Sequence, residues 1–190
     1  PISTSLVAWF EKLGIVIMEG YGQTEAMGLI ANRAGERKVG TIGKSDPSVE
    51  IRLSEEGELQ VRAEGLSPGY YKNPEKTAET FVDGWVYTGD KVKIDDEGFI
   101  TITGRVKDYF KTIQGKFVAP VPIEDLFSDN PHTEQLCLLG RGYSKTVMVC
   151  VISEMSRAHP TSDIEQAMIE CVRRVNESVD KHARIGAVII

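Results

Sequence analysis

The sequence predicts an α+β fold: a β-rich first part with glycine-marked corners, followed by a compact unit of strands with helices on one face. Three observations predict it. Two pairs of alternating runs, "VEIRL" with "ELQVRA" and "KVKI" with "FITIT", flank the acidic glycine turns "SEEG" and "DDEG", which is the pattern of hairpins. From about residue 121 the order becomes helix, strand, strand, long helix, strand. The change falls at the cation-rich "GRVKD", as a hinge between two units would, so units 1–104 and 105–190 are expected.

Taken in order, "SLVAWFEKL" sets Leu6, Val7, Phe10 and Leu13 at helical spacing, and Gly14 is a natural stop. The β-branched "IVIM" reads as a short strand feeding a glycine-rich turn. The two hairpins then suggest a small barrel or folded sheet. Between them "NPEKTAETF" reads as a helix, with Asn73 as cap, Pro74 in the first turn, and Glu75 and Glu79 placed to suit the helix dipole. In the second unit "PIEDLF" is a helix, and "EQLCLLG" and "TVMVCVI" are strands. A long helix follows, with Ser162 and Glu165 as a capping box and an apolar stripe of Ile164, Met168, Val172, Val175 and Val179. "AVII" closes as a strand.

Composition narrows the function. The chain has 190 residues, 41% hydrophobic and 26% charged, which suits a soluble globular protein of one large or two small domains. A net charge of −6 argues against a nucleic-acid partner. No apolar run reaches the roughly 20 residues of a membrane span, which leaves peripheral membrane association open. The opening "PISTSLVAWF" has neither a basic leader nor an initiator Met, so a piece of a longer, cytoplasmic protein is expected. Cys137, Cys150 and Cys171 are odd in number and set among apolar neighbours, which predicts reduced, buried thiols. His132, His159 and His182 are scattered without metal-ligand spacing.

Three stretches carry candidate chemistry. "EGYGQTEAMG" crowds glycines, an aromatic, a hydroxyl and carboxylates into one corner. Its glycines would let an anion approach the backbone. Thr24 could donate to a phosphate, Glu25 offers a hard oxygen for magnesium shared with phosphates, and Tyr21 offers a flat face for a base. "DGWVYTGD" ends in Asp90, an acid able to accept two hydrogen bonds from a vicinal diol such as ribose. "GRVKDYFKTIQGKFVAP" holds Arg105, Lys107, Lys111 and Lys116 against the single acid Asp108, a local anion site in an acidic protein. Taken singly, each also has a plain reading: a turn, the corner before a strand, a solvated basic face.

In series, "EGYGQTE", "GWVYTGD" and "GRVKDYFKTIQGKFVAP" resemble the adenylate-forming superfamily, which includes acyl-CoA synthetases, luciferase-type enzymes and the adenylation domains of peptide synthetases. The run from "GTIGKSD" to "KTAETF" resembles that family's connecting barrel, and "KTIQGKFVAPVPIED" is most like long-chain fatty-acid CoA ligases. The resemblance implies the C-terminal part of the adenylate-forming fold: the end of the large AMP-binding domain, with its β-barrel-like subdomain, and then a small C-terminal α+β domain. It implies that Gly20, Tyr21, Gly22, Gln23 and Thr24 bind ATP and AMP, with Gly20 and Tyr21 at the junction of the adenine and acyl pockets. Thr24 would contact the adenylate phosphate and Glu25 would hold Mg2+. Asp90 would bind the ribose hydroxyls with help from Arg105. Lys107 would be the hinge, and Gly115 would line the tunnel for the CoA pantetheine.

The implied activity is AMP-forming ligation of a fatty or other carboxylic acid to CoA with ATP, within lipid metabolism. The family's Ser/Thr/Gly-rich phosphate loop and its C-terminal catalytic Lys are not matched in these residues, so a portion that does not form adenylate alone is expected. "VRAEGLSPGYY" also departs from the Arg-Gly-Pro run of many relatives. A medium-chain or aromatic acid ligase, a carrier-loading adenylation domain, and a non-catalytic nucleotide-sensing or interaction module are the alternatives.

Overall fold

A computed structural model describes residues 4–190; residues 1–3, which fall in the stretch read as leaderless, lie outside them. The chain is mixed α+β, as expected, and divides into two compact units, 1–106 and 107–190.

The first unit opens with helix α1 (Thr4–Lys12), which ends in a turn where Gly14 takes a φ of +77°. Val7 is buried, whereas Leu6 and Leu13 are exposed. Strands β1 (Gly20–Gln23), β2 (Ala26–Ala31) and β3 (Lys44–Ser45) form an antiparallel sheet. A larger sheet contains β4 (Glu50–Leu53) and β5 (Glu58–Arg62), then β6 (Phe81–Val82), β7 (Trp85–Ile94) and β8 (Ile100–Arg105). Both expected hairpins are present, β4 with β5 and β7 with β8. Helix α2 (Pro74–Thr80) is capped as read, the Asn73 side chain accepting from the Lys76 amide at 3.0 Å, but Glu79 falls in its last turn and only Glu75 suits the dipole. Ala26 and Ile30 from one sheet meet Leu59, Val61, Val86, Val92 and Ile100 from the other in a single apolar core.

The second unit begins with a short hairpin, β9 (Phe110–Lys111) and β10 (Phe117–Val118), and helix α3 (Pro120–Phe127). Its sheet has β12 (Thr146–Ile152) in the centre, antiparallel to β11 (Thr133–Leu139) and parallel to β13 (Ile185–Ile189). Helix α4 (Thr161–Ser178) lies between β12 and β13 in the chain and supplies the crossover that a parallel pair requires. It buries Ile164, Met168, Cys171 and Val175 into a core with Phe127, Leu138 and Met148. Val172 and Val179 are only partly buried, because Cys171 occupies the centre of the stripe.

Three expectations need correction. Residues 15–18, "IVIM", are not a strand. Ile15, Val16 and Met18 are exposed, and among the described residues no strand pairs with this stretch, so its backbone has no ladder to join. The Ser162–Glu165 capping box does not form. The Pro160 carbonyl already accepts from Asp163 at 3.0 Å, which starts the helix at Thr161 and leaves Ser162 inside it, bonded to Asp163. Cys150 and Cys171 are buried free thiols, but Cys137 is exposed: on β11 buried and outward positions alternate, and Leu138 takes the inward one.

Candidate functional site

Side chains two residues apart on a strand share a face, so Tyr21 and Gln23 of β1 project together. Both reach Asp90 on β7: the Tyr21 hydroxyl donates to its Oδ2 at 2.6 Å and the Gln23 amide at 2.7 Å. Directly across the β7–β8 ladder from Asp90 stands Arg105, whose guanidinium donates to Oδ1 at 3.1 Å. The carboxylate side chain is 8% exposed and the guanidinium 55%. A buried acid is thus collared on three sides, while its cation still faces solvent and keeps donors for an incoming ligand. Burial first, then the hydrogen bond to Asp90 and its charge, hold the Tyr21 phenol above its ordinary range, so Tyr21 stays a neutral donor.

The backbone explains why the acid points this way. Glu58 pairs with Lys91 and Gln60 with Tyr87, so Thr88, Gly89 and Asp90 bulge out opposite Leu59 alone. Gly89 adopts a φ of +73°, a region costly for any residue with a Cβ. The bulge is pinned from all sides. The Gly89 amide donates to Glu58 Oε1 at 2.8 Å, the Thr88 hydroxyl to the Leu59 carbonyl at 2.7 Å, and Gln23 to the Thr88 carbonyl at 2.9 Å. Sequence reading allowed Asp90 to be merely the corner before "KVKI"; it lies instead within the ten-residue strand β7.

The corner "YGQTE" is likewise different in detail. Gly20–Gln23 is itself a strand, and only Thr24 and Glu25 make the turn into β2. Gly22 sits at an irregularity in that pairing, where an added Cβ would lie 2.5 Å from the Gly28 amide nitrogen. Gly20 faces Ala31 across the ladder, and a Cβ there would meet only ordinary contacts. Thr24 is exposed. Glu25 is half-buried, its Oε1 accepting from the Tyr70 hydroxyl and its carbonyl from the Ser67 amide at 3.0 Å. Sequence reasoning missed Tyr70, along with Thr88 and Glu58. Tyr70 lies in "VRAEGLSPGYY", and nothing local in that run pointed to Glu25.

Tyr21, Gln23, Asp90 and Arg105 are therefore brought into one hydrogen-bonded group, with Thr24 and Glu25 in the turn that follows Gln23. Lys107 and Gly115 belong to the second unit. Lys107 is exposed at its start, and Gly115 closes the β9–β10 hairpin with a φ of +73°.

Among the described residues there is no cluster of three or more His, Cys, Asp or Glu side chains fit to hold a metal unaided. Glu25 uses Oε1 on Tyr70, so its fit to magnesium is as one hard oxygen donor beside phosphate oxygens.

Comparison with known proteins gives the context of this group. Residues 1–71 match the family model described as AMP-binding enzyme, and residues 107–190 the one described as AMP-binding enzyme C-terminal domain. The long-chain-fatty-acid–CoA ligase FadD15 of Mycobacterium bovis is 39% identical over 141 residues, 74% of this chain and 24% of that protein. Benzoate–CoA ligase of Thauera aromatica is 37% identical over 128 residues, 61% of this chain and 24% of that protein. The solved structure of the anthranilate CoA ligase AuaEII with anthranoyl-AMP superimposes with a TM-score of 0.80 at 25% identity, covering 99% of this chain and 38% of that one. The chain spans about a quarter, 24%, of the length of these curated relatives. With both of its units matched in this way, the chain belongs to the adenylate-forming, AMP-binding enzyme family.

Proposed function

We propose that this chain supplies the adenylate-gripping part and the mobile C-terminal part of an AMP-forming acid–CoA ligase. The observation that carries the reading is the collared carboxylate: Asp90 is fixed by Tyr21, Gln23 and Arg105, donors drawn from two of the three motifs, with Asp90 itself in the remaining one. A vicinal diol can replace the donors on Asp90 with its own hydroxyls, while the exposed Arg105 takes the ribose or the phosphate. The Tyr21 ring offers a face to the base, and Thr24 a hydroxyl to the α-phosphate. Glu25 would hold magnesium, whose charge would favour the phosphate geometry in which the acid reacts.

In the first half-reaction the acid's carboxylate oxygen attacks the α-phosphorus of ATP, the bond to the bridging oxygen breaks, and pyrophosphate leaves. In the second the CoA thiol attacks the acyl carbon, its proton is lost, and AMP leaves with the electron pair. Lys107 is proposed as the pivot between these steps and Gly115 as part of the pantetheine passage, a two-pose cycle in which a few residues absorb the backbone change. A fatty acid is the proposed substrate, supported by the name of the FadD15 relative; an aromatic acid is the second reading, favoured by the benzoate ligase. The free thiols of Cys137, Cys150 and Cys171 support a reducing, cytoplasmic setting.

The test is ATP–pyrophosphate exchange by the full-length protein with palmitate and with benzoate. Exchange with one of these, lost in Asp90→Ala, is expected; magnesium-dependent ATP binding without exchange would instead favour a nucleotide-sensing module. The 190 residues alone are expected to give background exchange.

A further inference from the structure

Glu25 is held in place from a distant part of the chain. The Tyr70 hydroxyl donates to its Oε1 across a separation of 45 residues, and the Ser67 amide donates to its backbone carbonyl at 3.0 Å. Tyr70 is in turn well fixed. Its amide donates to the Thr77 hydroxyl at 2.9 Å, its ring meets Phe81 edge-on with centroids 5.9 Å apart, and Thr77 belongs to the helix that Asn73 caps. Gly69 lets the loop pass close to that helix: a Cβ there would lie 2.5 Å from Thr77 Cγ2.

We propose that Tyr70 is a positioning residue, whose hydroxyl engages one oxygen of Glu25 and so fixes the orientation in which the other is offered to magnesium. This rests on the reading of Glu25 as a magnesium ligand. A carboxyl side chain on a turn would otherwise sample several rotamers, and a single strong hydrogen bond to it removes most of that freedom before the ion arrives.

The experiment is calorimetric ATP binding to the full-length protein over a magnesium series, with thermal melting alongside. Tyr70→Phe keeps the ring on Phe81 and removes only the hydroxyl. It should raise the magnesium concentration for half-maximal binding about tenfold, the usual scale for a group that orients a metal ligand. Glu25→Gln should raise it as well, and adding Tyr70→Phe to Glu25→Gln should change it no further, since the two act as a unit. Phe81→Leu, which loosens the ring but keeps the hydroxyl, should shift the midpoint in the same direction by less. An unchanged midpoint in Tyr70→Phe beside a shifted one in Glu25→Gln would overturn the role of Tyr70 alone, whatever the melting temperature does. A midpoint that Glu25→Gln leaves in place would overturn the magnesium reading of Glu25 and this inference with it.

Discussion

A carboxylate that is 8% exposed and accepts three hydrogen bonds is costly to disturb, because its partners were desolvated on the assumption that it is there. Removing it in Asp90→Ala takes the Asp90 acceptor from the Tyr21 hydroxyl and leaves the Gln23 amide with the Thr88 carbonyl alone. Arg105 is mostly solvated and loses little. The expected cost is about 2–4 kcal/mol of folding stability, combining an unpaired buried donor or two with a small cavity. Tyr21→Phe removes one donor and should cost about 1 kcal/mol. Urea denaturation orders the two; a Tyr21→Phe change as damaging as Asp90→Ala would mean that the Tyr21 hydroxyl alone, and not the three-donor collar, holds this corner together.

At the level of elements, two close approaches decide where side chains can go. Gly22 has the Gly28 amide nitrogen 2.5 Å from where a Cβ would stand, so Gly22→Ala must push β1 and β2 apart. About 1–3 kcal/mol should be lost, the usual range for overpacking. On the proposed reading of Tyr21 and Gln23, which ride on β1, ATP binding should fall with it; a neutral change in stability would show that the pairing is looser than described. In the second unit Glu124 of α3 accepts from the Leu138 amide of β11 at 2.7 Å while partly buried. Burial is the main cause that raises its carboxyl, with Asp125 and Asp108 adding to it, against the lowering effect of the Leu138 amide. An acid with a raised pKa binds more protons folded than unfolded, so it subtracts stability as pH rises from its ordinary 4.5 through the folded value. Glu124→Gln keeps an acceptor for Leu138 and should flatten the fall in second-unit stability over that window. A steeper fall in the variant would reverse the sign argued here.

The two hairpins, the Asn73-capped helix and the α4 stripe were legible because period and capping chemistry are local. Asp90 and Arg105 were linked in the sequence only through the family resemblance, since each motif alone also read as a plain turn or a basic face; the Gln23 bond to Asp90 was not legible. Nor was the bulge at Thr88–Asp90, since register depends on the partner strand β5, and neither was Tyr70, whose partner lies 45 residues away. "IVIM" failed for a related reason: a β-branched run states a preference, but only a neighbouring strand makes it a strand.

For the molecule as a whole, the decisive fact is that the described residues build two cores with no member in common. One draws only on residues from Tyr21 to Ile102, the other only on residues from Phe110 to Val188. Each therefore gains its own burial energy from its own apolar surface, and each can be weakened by a change inside it. Phe127 is the largest side chain fully removed from water, and it packs where α3, α4 and the sheet of the second unit meet. Phe127→Ala should cost about 3–5 kcal/mol, the sum of lost transfer energy and the cavity left behind. Native-state hydrogen exchange locates that loss: amides of β11, β12 and α4 should exchange faster by the corresponding factor, while those of β5 and β7 keep their protection. Equal loss in β5 and β7 would mean that the two cores unfold as one cooperative body, and the division of the chain into separately stabilised units would fall.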